Sequence, residues 1–293
     1  MAWIQINTVV PEALAEVLSD ALINSGAVSV TFEDAKDEPI FEPPLGETPI
    51  WPNTKVIGLF DAETDAKAVI QNLVSTLPEL NAEEFKVEAL EDKDWVRAWM
   101  DQFKPMPFGE KLWIVPSWHE PPESDAINLK LDPGMAFGTG THPTTALCLT
   151  WLDQNPPKDK EVVDYGCGSG ILALAAEKLG AKSVKGTDID PQAITASEQN
   201  AERNEAHIEF KLVKEFQSEP VDLVLANILA GPLKELAPVF QSLVKPGGTL
   251  VLSGLLTSQA EELQTHYQAF GFDLDTFEQQ EEWGLLAGKK REK

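Results

Sequence analysis

Cysteine is nearly absent: Cys148 and Cys167 are the only two in 293 residues, too few for a disulfide framework. No run approaches the ~18 consecutive apolar residues that mark a membrane-spanning helix. The start, MAWIQINTVVPEAL, has neither the basic stretch nor the apolar core of a secretion signal. A cytoplasmic protein with no membrane partner is expected. Basic side chains are scarce too, with 23 Lys and Arg against 48 Asp and Glu and a net charge of −25. Proteins that bind nucleic acid gain affinity by neutralising phosphates with Lys and Arg. This surface would repel a polyanion, and it suits a basic partner. The deficit is densest in residues 1–104, where 7 basic side chains face 20 acidic ones, a net of −13. Acidity also keeps copies of a protein apart in solution, and composition does not separate the two roles.

What is present divides near residue 104. WIQINTVV and AVSVTFED read as strands around a helix, PEALAEVLSDALINSG, with Leu14, Val17, Leu18, Ala21 and Leu22 on its apolar face. After a loop rich in Pro and acids, TKVIGLFD, DAKAVIQNLVSTL and FKVEALE read as strand, helix and strand. The order β-α-β-β-α-β is that of a ferredoxin-like α+β domain. It supplies no obvious chemistry and is expected, over residues 1–91, to be a recognition unit. A linker helix is expected over 92–104, with Trp95, Trp99 and Phe103 on one face. From 105 to 293, near-continuous apolar strands alternate with amphipathic helices, which predicts a parallel sheet covered on both faces. The tail LDTFEQQEEWGLLAGK predicts an antiparallel hairpin at one edge. No internal repeat and no metal site are read.

Two glycine clusters compete for a cofactor. The first, in LDPGMAFGTGTHPTT at 131–145, lacks the Lys that a phosphate-binding P-loop requires. The second, VDYGCGSGILALAAEKLG, is a strand, a tight turn and a helix, the place where open α/β sheets bind ligands. Its glycines are Gly166, Gly168 and Gly170, spaced differently from the dinucleotide fingerprint. Asp164 stands just before them. A carboxylate there would repel a pyrophosphate but attract a ligand bearing an ammonium and a sulfonium, as S-adenosylmethionine does. Asp188, at the end of the next strand, is suited to accept hydrogen bonds from ribose hydroxyls. Asn227 ends the fourth strand, in Asn227-Ile228-Leu229-Ala230. Many amino-group methyltransferases carry an Asn/Asp-Pro-Pro-aromatic tetrad at that point. Without the prolines and the aromatic, a flexible aliphatic amine fits better than a nucleobase. The first cluster then reads as an anion seat: a helix opening at Pro143 offers free N–H groups and the hydroxyls of Thr144 and Thr145 to a carboxylate. Alternatively Thr141 or His142 is only its cap.

With LDPGMAFGTGTHPTT, DYGCGSGILALAA, TDIDPQAI, NILAGPLKELAP and DKDWVRAWMDQFKP together, the chain resembles the PrmA family over nearly its whole length. These are methyltransferases that modify the eleventh protein of the large ribosomal subunit. The resemblance implies a class I Rossmann-like methyltransferase domain behind a smaller ferredoxin-like one that swings over it. It implies S-adenosylmethionine as donor and trimethylation of lysine side chains and the N-terminal amine of a basic ribosomal protein. By the same likeness Thr145, Gly166, Asp188 and Asn227 would contact the donor, Phe137 and His142 would border the active site, and adenine-side contacts would fall near Val213. Glu205 stands where a helix-ending Gly is common in the family. Asn227 would position the amine, with His142 the candidate base. Methylation of another protein or a small amine, and a non-catalytic donor-binding module, remain as other readings.

Overall fold

In the computed structural model, which describes residues 3–38, 40, 49–90, 103–123, 125–132 and 142–292, the chain divides into two compact units, Met1–Met100 and Asp101–Lys293. The expected linker helix, save its last two residues, and the first glycine cluster from Phe137 to Thr141 lie outside the described residues.

The first unit runs β1 (Trp3–Pro11), α1 (Glu12–Asn24), β2 (Ser29–Asp34), β3 (Asn53–Asp61), α2 (Ala66–Thr76), β4 (Lys86–Leu90). Its strands lie in the order β2-β3-β1-β4, all pairs antiparallel, which is the ferredoxin-like arrangement. Helix α1 buries Ala15, Leu18 and Leu22, a stripe at i, i+3 and i+7 that packs with Ile6, Val56 and Phe60. Val17, expected on that face, is 48% exposed: it lies about one-quarter turn from Leu18 and outside the stripe, while Leu14 and Ala21 pack at its margins. Asp65 starts α2 by accepting hydrogen bonds from the amides of Lys67 and Ala68.

The second unit opens with a small sheet of β5 (Met106–Phe108), β6 (Leu112–Val115) and β7 (Ile127–Lys130). The main body follows as α3 (Pro143–Gln154), β8 (Glu161–Tyr165), α4 (Ile171–Lys178), β9 (Ser183–Asp188), α5 (Pro191–Arg203), β10 (Glu209–Leu212), β11 (Val221–Asn227), α6 (Ala230–Glu235), α7 (Ala237–Leu243), β12 (Val244–Leu256), α8 (Ala260–Ala269), β13 (Phe272–Gln280) and β14 (Trp283–Lys290). Seven strands form one sheet in the order β10-β9-β8-β11-β12-β14-β13. The pairs from β10 to β12 are parallel, and β14 runs antiparallel to both neighbours. Alternation along each strand feeds two cores. Val162 and Leu225 join the one holding Leu149 of α3 and Leu172 of α4, whereas Val163 and Val224 join the one holding Phe240 of α7 and Tyr267 of α8. The predicted tail hairpin exists, but β14 enters the sheet between β12 and β13, so only β13 is an edge. Among the described helices none is long and apolar enough to cross a membrane.

Asn204 caps helix α5, and Glu205 after it is left-handed, with φ 52°. Its amide reaches the carbonyl of Glu202, and that of Ala206 the carbonyl of Ala201, a closure usually made by glycine. Glu205→Gly relieves the Cβ crowding of this conformation and gives back part of the gain as unfolded-state entropy, leaving roughly 0.5–1 kcal/mol of stabilisation. A melting temperature raised by about 1–4 °C is expected at this size. An unchanged or lowered midpoint would show that the position is not strained.

Candidate active site

The chain leaves β8 toward β9 and β10, then returns to β11 on the other side of β8. This reversal opens a crevice at the carboxyl ends of β8 and β11, where sheets of this kind bind ligands. A cavity of about 510 Å³ lies here. Its lining includes Gly166, Gly168, Asp188, Asn227, His142 and Trp283. The structure therefore gathers residues singled out from the sequence, Thr144 and Val213 among them, from separate loops around one space.

The turn after β8 is shaped by backbone bonds. The amides of Gly166 and Cys167 both donate to the carbonyl of Thr187, at 2.8 and 3.0 Å. The amide of Gly168 donates to Asp188 Oδ2 at 2.9 Å. Gly166 has φ 79°, and a Cβ on it would stand 2.3 Å from Ile228 Cγ2. Only glycine lets the turn pass so close to the segment after β11. Asp188 also accepts from the amide of Asp190 through Oδ1 at 3.0 Å. Each carboxylate oxygen keeps a second lone pair for a hydroxyl.

Asp164 lies beneath this turn, 1% exposed. Its Oδ2 accepts from the amide of Ala173 in α4 at 3.0 Å, and its buried Oδ1 has no hydrogen-bond partner. Burial pushes its carboxyl up to about 7; the charge of Asp188 adds to the rise and the Ala173 bond opposes it. It is not among the cavity-lining residues, so its influence on a ligand is electrostatic and through the loop it supports. Thr145 is likewise fully buried behind the wall. Its Oγ1 accepts from Asn227 Nδ2 at 3.2 Å, while the neighbouring Thr144 lines the cavity.

Asn227 half-emerges at the end of β11, and its Oδ1 is buried with no partner. An amide held on its nitrogen side and empty on its oxygen side is arranged to accept from an N–H. His142 caps α3: Thr144 N donates to its Nδ1 at 3.3 Å. Its Nδ1 also lies 2.8 Å from Thr144 Oγ1, so Thr144 holds the ring by that one nitrogen, and the tautomer sets whether Nε2 offers a lone pair or a proton. Burial lowers its pKa, against the pull of Glu281 and Glu282, and favours the neutral ring. Phe137, the other expected border residue, lies outside the described residues.

Trp283, Gly254 and Ile189 also line the cavity; reading along the sequence did not single them out. Gly254 has φ 85°, and a Cβ there would meet Ile228 O at 2.3 Å. It stands where the pairing of β12 with β14 shifts register, between Ser253 and Leu255. Gly254 belongs to β12 beside β11, whereas Trp283 reaches the site because β14 is inserted beside β12. The available signal was a lone aromatic directly after two acids at the head of a strand.

A sheet of this order with one reversed strand, and a glycine turn, an acid and an asparagine at its crevice, defines a class I S-adenosylmethionine-dependent methyltransferase. The family model for ribosomal protein L11 methyltransferase (PrmA) matches residues 2–291. A ribosomal protein L11 methyltransferase of Hydrogenovibrio crunogenus is 69% identical over 291 residues, 99% of each chain. One from Shewanella baltica is 56% identical over 297 aligned residues, covering 99% of this chain and 100% of its own. The solved structure of a ribosomal protein L11 methylase from Lactobacillus delbrueckii subsp. bulgaricus is 35% identical, with a TM-score of 0.60, and covers 65% of this chain and 100% of its own. The chain belongs to the PrmA family, and S-adenosylmethionine is its methyl donor. The residues present fit that donor: the cradle at Gly166 that a Cβ would fill and the spare lone pairs of Asp188.

Proposed function

We propose that this chain methylates amino groups of ribosomal protein L11, the protein named in its relatives' descriptions, on lysine side chains and the N-terminal amine. The observation that carries this reading is the Asn227 amide, with its buried oxygen unpartnered beside the glycine turn. Bound in the cavity, the donor supplies a methyl on a sulfonium: the amine lone pair forms the new C–N bond, the C–S electron pair stays on sulfur, and the amine proton passes to water. Gly166 and Gly168 shape the turn that holds the donor, and Asp188 accepts from its ribose hydroxyls. Asn227 Oδ1 accepts an N–H of the incoming amine and aims its lone pair, so orientation supplies much of the rate. A lysine with reference pKa ~10.4 must arrive deprotonated, and desolvation beside a cation favours that form. Residues 1–91 serve as the recognition unit, residues 92–104 as the linker, and the setting is the cytoplasm.

Labelled donor incubated with total ribosomal protein tests this reading. Label confined to L11 supports it. Label on another protein or on small amines points to a different acceptor, and donor binding without transfer to a non-catalytic module.

Charge gives a second test. If the acidic first unit steers a basic protein, kcat/KM should fall steeply with ionic strength while kcat barely moves. Glu33, Asp37 and Glu38 are exposed, and changing them to Gln, Asn and Gln should flatten that slope. Asp34 is spared because its carboxylate holds the turn by accepting from the amides of Lys36 and Glu38. A flat response in the unaltered protein would leave the acidity a matter of solubility.

A further inference from the structure

Methylation changes the acceptor's own chemistry. A primary amine has two N–H groups in its neutral form, a monomethylated one has one, and a dimethylated one has none. Asn227 Oδ1 holds the first by hydrogen bonding but has nothing to hold in the last. Each added methyl also enlarges the apolar surface around nitrogen. In every transfer, positive charge moves from sulfur onto that nitrogen. An aromatic ring attracts both a cation and its methyl groups, most strongly where water is excluded.

One aromatic side chain among the described cavity residues stands beside His142 rather than beside the glycine turn. Trp283 lines the cavity, is 8% exposed, and meets the His142 ring edge-on at a centroid distance of 4.9 Å. Its place is fixed from two sides. Trp283 pairs with Leu256 just past the register shift at Gly254. Ser253 Oγ lies 3.0 Å from Gly284 O and 3.3 Å from Thr144 O, tying β14 to the first turn of α3. His142 belongs to that turn, and its neutral form adds no repulsion. Glu281 and Glu282 lead directly into Trp283, and their charges reach His142.

We propose that Trp283 is the specificity-determining wall of the acceptor site, holding the partly methylated amine as Asn227 loses its grip on it. This rests on the amine acceptor proposed above. Asn227 governs the first transfer, and Trp283 governs the later ones. The two residues divide the rounds between them according to how many N–H groups remain.

The test follows unmodified L11 under excess donor by mass spectrometry, resolving each methylation state over time. In Trp283→Leu the last methyl should be slowed roughly tenfold more than the first, so lower states accumulate. Asn227→Ala should show the reverse bias, slowing the first round most. Trp283→Phe keeps a smaller π face and should fall between. It also serves as the readout if the leucine variant fails to fold, with calorimetric donor binding as the check on both. Equal slowing of every round, or no change in the distribution of states, overturns the inference while leaving amine methylation standing. So does an unaltered enzyme that stops after one methyl. If the unaltered enzyme adds no methyl at all, the proposed function itself fails.

Discussion

Replacing Asn227 by alanine is expected to lower kcat toward L11 by roughly 100-fold, the scale of losing one orienting contact at a reacting atom. The side chain bridges two elements: Nδ2 reaches Thr145 Oγ1 in α3, and Oδ1 is buried without a hydrogen-bond partner. Alanine removes that acceptor without disturbing strand pairing, since Asn227 meets Ser253 through the backbone ladder. Donor affinity should change less than the rate, because Gly166, Gly168 and Asp188 remain. Asn227→Asp returns an acceptor but loses the N–H that reaches Thr145, so recovery should be partial. Single-turnover rates with donor affinity from calorimetry make the comparison. A kcat within threefold of the unaltered enzyme would remove Asn227 from the chemistry.

Asp188→Ala is expected to weaken donor binding by about 1.5–3 kcal/mol, the worth of hydrogen bonds to a charged acceptor, or roughly 10- to 100-fold. The alanine also leaves the amides of Gly168 and Asp190 without their acceptor. Both sit where the crevice meets water, which can replace the carboxylate, so the fold should persist. Asp188→Asn keeps the carbonyl oxygen without the charge and should lie between. Unchanged affinity by calorimetry would refute the ribose assignment, and a collapsed melting transition would show that the carboxylate chiefly supports the turn.

Where one segment determines its own conformation, the sequence was readable. The strand-turn-helix at VDYGCGSG and the acid ending the next strand declared their places through glycine spacing and apolar runs. So did the ferredoxin-like order of the first unit. Side-chain direction was harder. Thr144 and Thr145 are adjacent hydroxyls at a helix start, and nothing local says that one faces the cavity while the other is buried against Asn227, 82 positions away. Asp164 read as a ligand neighbour because its charge suited the donor, but strand alternation placed it in the interior with Ala173 as its partner. Trp283 was invisible for a third reason: it reaches the site by strand insertion, and a hairpin signal does not reveal which strand lies inside.

That insertion bears on how the molecule is made. The sheet grows outward from β8 in both directions as the chain emerges, but β13 appears before the strand that will separate it from β12. Until residues 283–290 are available, β12 has an open edge and β13 has no neighbour in the sheet. Pairing β12 with β13 directly would be a trap, and an unpaired edge is where aggregation begins. Strand β12 runs parallel to β11, whereas β14 must enter antiparallel to both flanking strands. Its hairpin with β13 therefore fills the gap beside β12 and completes the sheet. The donor's cradle, built from β8, β9 and β11, can take shape before it. The wall bearing Trp283 cannot, so that side of the cavity closes last.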